Sequence, residues 1–294
     1  MRARMMIGVV AGVLMMLGGC AESKTHEYAF DVSPTVGMLA VDIENFRGIV
    51  QVRADHRVQR ATVTASGSAS DESSKKAKAA LDETWVDATL EEDGARGVLK
   101  VRTGTRAENP EAQWMNVTVL VPRCGGVRID NREGYVEVVG TSGGTMITNR
   151  LGAVEFRTDK PMIDPVTITT TDGDVYYQVP AGSTGAFDLQ SLDGAVTYRD
   201  RVQGSDRAYV APGSYQARLN GGENAIQMRT NRGNVNVWVD KDPVALTRLF
   251  KRDLPDPQDM WFLQGSRRHT RNLPDDHVEV TRQQQTSNPY HDRY

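Results

Sequence analysis

The sequence predicts an all-β protein: a β-solenoid led by a sandwich-like N-terminal section that carries one short helix. Three observations point there. A single pattern recurs six times along the chain: apolar, x, apolar, x, Asn/Thr/Ser, x, x, Gly, x, Val, x, then Val, Phe or Tyr. Its period of about 20 residues is too short for a helix pair and suits one β-coil. The composition fits: 27 glycines in 294 residues, but only 6% aromatics, so the core must be narrow and built from Val, Ile and Leu. Other classes drop out. With 35 basic against 38 acidic side chains, the net charge of −3 leaves no basic nucleic-acid footprint. Two cysteines make neither a disulfide scaffold nor a four-cysteine zinc site.

Residues 1–19 read as a signal peptide. Arg2 and Arg4 precede an uncharged apolar stretch, Met5 to Leu17, which is shorter than the roughly 20 residues a bilayer span needs. It ends in Leu17-Gly18-Gly19-Cys20, which resembles a bacterial lipobox. Small residues let an extended chain enter a protease cleft, and the Cys20 thiol becomes the lipid attachment point. Two or more acyl chains there give a stable anchor, at about 0.8 kcal/mol per buried CH₂. Ala21 follows, where an Asp often marks inner-membrane retention in Gram-negative lipoproteins, so the outer membrane is the expected address. Residues 20–35 open on a polar stretch and read as a lipidated tether.

Residues 36–239 hold the repeat. Its glycines are Gly48, Gly134, Gly152, Gly173, Gly194 and Gly233. Two positions after each stands a valine, and three before stand Asn45, Asn131, Asn149, Thr170, Ser191 and Thr230. Alternation on both sides of the glycine makes two short strands, each with one buried face. The glycine supplies a positive φ or a close backbone approach at the corner. The small polar residue is placed to bond a corner N–H, and stacking in register would turn these residues into a column. The corners from Gly134 to Gly194 are almost evenly spaced, and a gap nearly double the usual one precedes Gly233. That gap accommodates a degenerate coil through Gly204 and Gly213, or a hairpin from Tyr209 to Ile226 with Asn220-Gly221-Gly222 at its tip. The long gap between Gly48 and Gly134 predicts strands near Ala61–Ser66, Trp85–Glu91, Val98–Arg102 and Val117–Val121, and a helix over Ser73–Glu83. This is the capping section.

Residues 240–294 lack the repeat and read as a polar C-terminal cap and a partly disordered tail. They hold five prolines, a short amphipathic stretch at Val244–Arg252 and the apolar cluster Met260-Trp261-Phe262-Leu263. That cluster either closes the last coil or docks a partner.

No catalytic constellation emerges, and no catalytic residue, metal site or cofactor is expected. The five histidines show no metal spacing, and the glycine-rich stretches open no helix. Asp172-Gly173-Asp174 and Asp193-Gly194 admit turn chemistry, a calcium site or a carboxylate pair for sugar hydrolysis; turn chemistry is preferred because other corners carry arginines. Tyr177 and Tyr198 fall in the inward register. Tyr135 and Tyr176 fall in the outward one and are the candidates for stacking on a glycan. Cys124 reads as a buried thiol.

On the glycine columns and the introducing strand Val119-Leu120-Val121-Pro122, the chain resembles the bacterial putative-adhesin β-strand-repeat family, a domain of unknown function in envelope lipoproteins. The resemblance covers about Val36 to Val239. It implies a right-handed, β-helix-like fold. The function expected is a non-catalytic binding, adhesion or scaffolding surface, lipid-anchored in the cell envelope, with the membrane and a glycan or envelope protein as partners and no nucleic acid. The alternatives are a β-helix carbohydrate-active enzyme, centred on Asp172, Asp174 and Asp193 near Arg150 or Arg199, and an envelope-assembly or stress-related protein acting through its tail.

Overall fold

The computed structural model describes residues 6–16, 19–33, 36–108, 110–201 and 207–244. In chain order the first strands are β1 (Met6–Met16), β2 (Gly19–Phe30), β3 (Met38–Asn45), β4 (Val50–Ala54) and β5 (Ala61–Asp71), the last three with buried and more exposed side chains in alternation. Helix α1 (Ser74–Asp82) follows. Ser73 caps it by accepting from the Lys76 N–H, and Ala77 and Leu81, one turn apart, are its buried residues. Then come β6 (Thr84–Asp93), β7 (Arg96–Thr105) and β8 (Gln113–Val121). The two strands of each repeat follow as β9 (Cys124–Glu133) and β10 (Val136–Val139), β11 (Gly144–Leu151) and β12 (Val154–Arg157), and β13 (Val166–Asp172) and β14 (Val175–Pro180). The last elements are β15 (Gly185–Asp200), β16 (Arg207–Leu219), β17 (Ala225–Arg232) and β18 (Val235–Asp240). The described chain is therefore all-β with one α-helix, and its 18 strands join one sheet that nearly closes on itself like a barrel.

Two ladders organise that sheet. The first runs β7, β3, β9, β11, β13, β17, β15, parallel throughout. The second runs β8, β4, β10, β12, β14, β18, β15, also parallel. Antiparallel strands finish both: β6 on β7, and β5, β2 and β1 in turn beyond β8. At the opposite end, the long β15 belongs to both ladders and β16 pairs antiparallel along it.

The register puts equivalent repeat positions side by side: Ile43, Ile129, Ile147, Ile168, Met228 and Leu189 face inward from one ladder, the corner valines from the other. All are at most 1% exposed. Each such side chain contributes about 1.5–3 kcal/mol on burial. The core is not purely aliphatic. Phe156 stacks on Tyr177 at 5.2 Å, and the run continues through Phe187 and Tyr198 to Tyr215. The Tyr177 hydroxyl is buried with no hydrogen-bond partner, and burial pushes its pKa up.

The glycine corners stack on one another. At Gly152, φ is +117°, and a Cβ there would lie 2.2 Å from the Gly134 carbonyl oxygen. Corner N–H groups are spent on the neighbouring repeat, as in Gly134 N–H to Leu151 O at 2.7 Å. The polar column therefore bonds carbonyls rather than the corner N–H groups expected from sequence. Asn149 donates to Gly134 O at 2.8 Å, Thr170 to Gly152 O at 3.2 Å, Thr230 to Gly173 O at 2.8 Å and Ser191 to Gly233 O at 2.6 Å. Asn45, Asn131 and Asn149 also form an amide chain, at 2.9 and 3.0 Å.

Two expectations change, and the order of the last repeats is a further finding. Residues 20–30, expected within a tether, form β2, which pairs with β5 from Cys20↔Asp71 to Phe30↔Ala61 and buries Tyr28, Ala29 and Phe30. The apolar alternation of Tyr28 and Phe30 is too short to announce a strand by itself, but β5 supplies its partner. Among the described residues, the gap between Gly194 and Gly233 holds neither a degenerate coil nor a Tyr209–Ile226 hairpin. The hairpin is β15–β16, and Asn220-Gly221-Gly222 carries the chain from β16 to β17. Asn220 has a φ of +48°, as a tight reversal requires. Finally, β17–β18 does not stack outside β15 but fits between β13–β14 and β15. Arg232 thereby lies between Asp172 and Asp193 and binds Asp172 at 2.8 Å. Gly204, the amphipathic stretch from position 245 onward, the Trp261 cluster and the rest of the tail lie outside the described residues.

Candidate binding face

The outward side of the second ladder carries the richest set of functional groups. Two columns run across it. Gln51, Glu137, Glu155, Tyr176, Asn236 and Thr197 occupy one; Arg53, Val139, Arg157, Gln178, Trp238 and Arg199 occupy the other. The repeat generates them, because positions one and three after each corner valine point away from the core.

The groups bind one another. Glu137 is held between Arg157 and Arg53, the latter at 2.8 Å. Arg157 also reaches Glu155 at 3.2 Å, and Gln51 donates to Glu137 at 3.0 Å. The Arg157 and Glu137 side chains are only 4% and 6% exposed. An ion pair so withdrawn from water persists because each charge has several partners.

Tyr135 and Tyr176 both lie on this face, half-buried. The Tyr135 hydroxyl donates to Glu155, and the Tyr176 hydroxyl donates to Asp174 at 3.0 Å. Burial first, and then the adjacent carboxylates, raise both phenols well above their ordinary pKa. Their rings do not meet each other. Tyr176 instead tilts against Trp238, with centroids 6.2 Å apart. Trp238 stands three positions after Val235, opposite Gln178, in the outward register in which the sequence already sets it beside these tyrosines.

The acidic corners are consumed locally. Asp172 pairs with Arg232, and Asp174 accepts from the Asn234 N–H at 2.6 Å as well as from Tyr176. Among the described residues, no three metal-capable side chains cluster. Arg150 is exposed on β11, next to Leu151, whose register partner on β13 is Asp172. Cys124 opens β9, 3% exposed, its Sγ 3.3 Å from Gly126 O, and burial pushes its pKa up to about 11. Cys20 opens β2 together with Gly19 and is partly exposed. Leu17 and Gly18 lie outside the described residues.

A cleft of about 260 Å³ opens elsewhere, lined by Val32, Val36, Met38, Leu39, Pro122 and Arg123 among others. At the β15–β16 end, Leu192 (78%), Val210 (70%) and Tyr209 (45%) are exposed. Chemically, the outward face offers an aromatic pair beside a fixed lattice of carboxylates, guanidiniums and amides.

No family model and no curated protein matches the chain. Two solved structures are similar to it. One is a putative cell adhesion protein from Clostridium sporogenes, 13% identical, with a TM-score of 0.49, covering 73% of this chain and 99% of its own. The other is a putative adhesin from Bacteroides fragilis, 8% identical, with a TM-score of 0.26, covering 74% of this chain and 96% of its own.

Proposed function

We propose that this chain is a lipid-anchored protein of the cell envelope that presents a right-handed β-solenoid as a non-catalytic binding, adhesion or scaffolding surface. The anchor reading rests on Leu17-Gly18-Gly19-Cys20 after a short apolar stretch. The solenoid reading rests on the parallel, in-register stacking of the repeats. One observation carries the binding role: the functional groups of the outward face are locked to each other, in a rigid surface of the kind that recognises by shape and hydrogen bonding. The Tyr176–Trp238 pair is the place for a sugar ring, with Glu155 beside it.

Two experiments test this. Cys20→Ser should move the protein from the membrane fraction to the soluble one; unchanged partitioning refutes the anchor. Binding of the purified chain to immobilised envelope glycans should fall when Trp238 and Tyr176 are each changed to Ala. Equal binding by both variants refutes this face as the site.

A further inference from the structure

We propose that the corner of the sheet made by the start of β2, the end of β5 and helix α1 lies against the membrane surface, held there without a spacer; this rests on the lipid-anchor reading above. A lipid carried on a flexible tether lets a domain roam, since each extended residue adds about 3.3–3.6 Å of reach. Here the residue that would carry the lipid is already in the sheet. Cys20 pairs with Asp71, and the register continues residue by residue to Phe30.

Removing residues 1–19 takes away β1, one of the two neighbours of β2. The other, β5, stays. So do the buried Tyr28, Ala29 and Phe30, the Thr25–Ser66 hydroxyl bond at 3.0 Å and the Ser74–Glu22 bond that ties β2 to α1. β2 therefore keeps its place after processing, with Cys20 at its first position.

α1 begins just after Asp71, behind its cap Ser73, so it shares that corner. It exposes Lys75, Lys76 and Lys78. The charges around them are mixed: Lys24 on β2, and Glu22, Asp71, Glu72, Asp82 and Glu83, with Glu72 paired to Lys76 at 3.0 Å. Positive and negative groups offset, so the covalent link rather than attraction to anionic lipid imposes the contact. β16 lies nine strands further along the second ladder, about 43 Å measured along the sheet at strand spacing.

The test is amine-reactive labelling of the full, lipidated protein in phosphatidylcholine vesicles, read lysine by lysine by mass spectrometry. Lys75, Lys76 and Lys78 should label roughly fivefold more slowly than in the soluble Cys20→Ser protein, with Lys160 and Lys241 unchanged. Inserting about 15 Gly/Ser residues between Cys20 and Ala21 should restore labelling while leaving the protein on the vesicles. Equal labelling of α1 in the wild type and the linker variant, both vesicle-bound, overturns the proposal. So does protection that appears only when anionic lipid is added. The N-terminal peptide mass is a separate readout: an unmodified Cys20 overturns the anchor reading itself.

Discussion

Adding one methyl group at the Gly152 corner is the sharpest probe of the stacked repeats. With φ at +117°, Gly152→Ala forces a side chain into backbone space that L-residues avoid, and its Cβ would sit 2.2 Å from Gly134 O, a main-chain atom that cannot swing aside. Backbone strain of about 1–3 kcal/mol adds to the overlap, which forces the two repeats apart, for a total of about 3–5 kcal/mol. The control is Gly94→Ala in the β6–β7 turn. There φ is +59° and no atom lies within 4 Å of the would-be Cβ, so the left-handed penalty of about 1–2 kcal/mol acts alone. Urea denaturation of both variants, in the soluble Cys20→Ser background, gives the two losses directly. A domain of ordinary stability, about 5–15 kcal/mol, still reports both. Equal losses at Gly152 and Gly94 refute the argument that the corner glycines are there for close backbone stacking.

Further expectations follow from the same structure. Asn149→Ala, which deletes the donor to Gly134 O and Gly152 O, should cost about 2–3 kcal/mol, whereas Asn149→Thr, the residue type at 170 and 230, should cost about 1 kcal/mol or less in the same assay. Arg157→Met leaves Glu137 buried with only Arg53 and Gln51, and should cost about 3 kcal/mol; adding Glu137→Leu should recover part of that loss, and a double variant worse than the sum of the singles refutes the pairing. Cys124 has a folded pKa raised from 9.0 to about 11, so its contribution to stability is complete below pH 9 and lost as pH rises towards 11. The buried Tyr177 and the half-buried Tyr135 and Tyr176 extend the loss above pH 10 by the same sign. A urea midpoint that holds steady from pH 8 to 11 contradicts both. At pH 8 the native Cys124 thiol should resist thiol reagents that modify the unfolded chain at once.

The inward rows and corners were readable because one face of each short strand must be apolar and each corner must be glycine, two constraints that leave a period of two within the strands and a longer period between corners. The helix expected over Ser73–Glu83 was readable too, and the structure has it at Ser74–Asp82. The polar column was readable in place but not in hydrogen-bond direction, because which corner group lacks a partner depends on the neighbouring repeat. The tether expectation at residues 20–30 failed because β2 owes its existence to β5, which follows only after β3 and β4 in the chain. The Glu137–Arg157 lattice and the Tyr176–Trp238 pair depend on which strands become neighbours. In the case of β14 and β18 those neighbours are not consecutive repeats.

That last arrangement bears on how the protein is made. Gly152, Gly173 and Gly194 are evenly spaced, so a chain emerging from its N-terminus first has the option of laying β15 directly on β13. Such an early contact would set Asp193 against Asp172, and like charges placed side by side in neighbouring strands repel. The native order separates them with Arg232, which arrives last. The repeat at residues 225–240 is thus a keystone: the sheet is finished from within rather than at its end, and Arg232 stands between the two aspartates that would otherwise face each other.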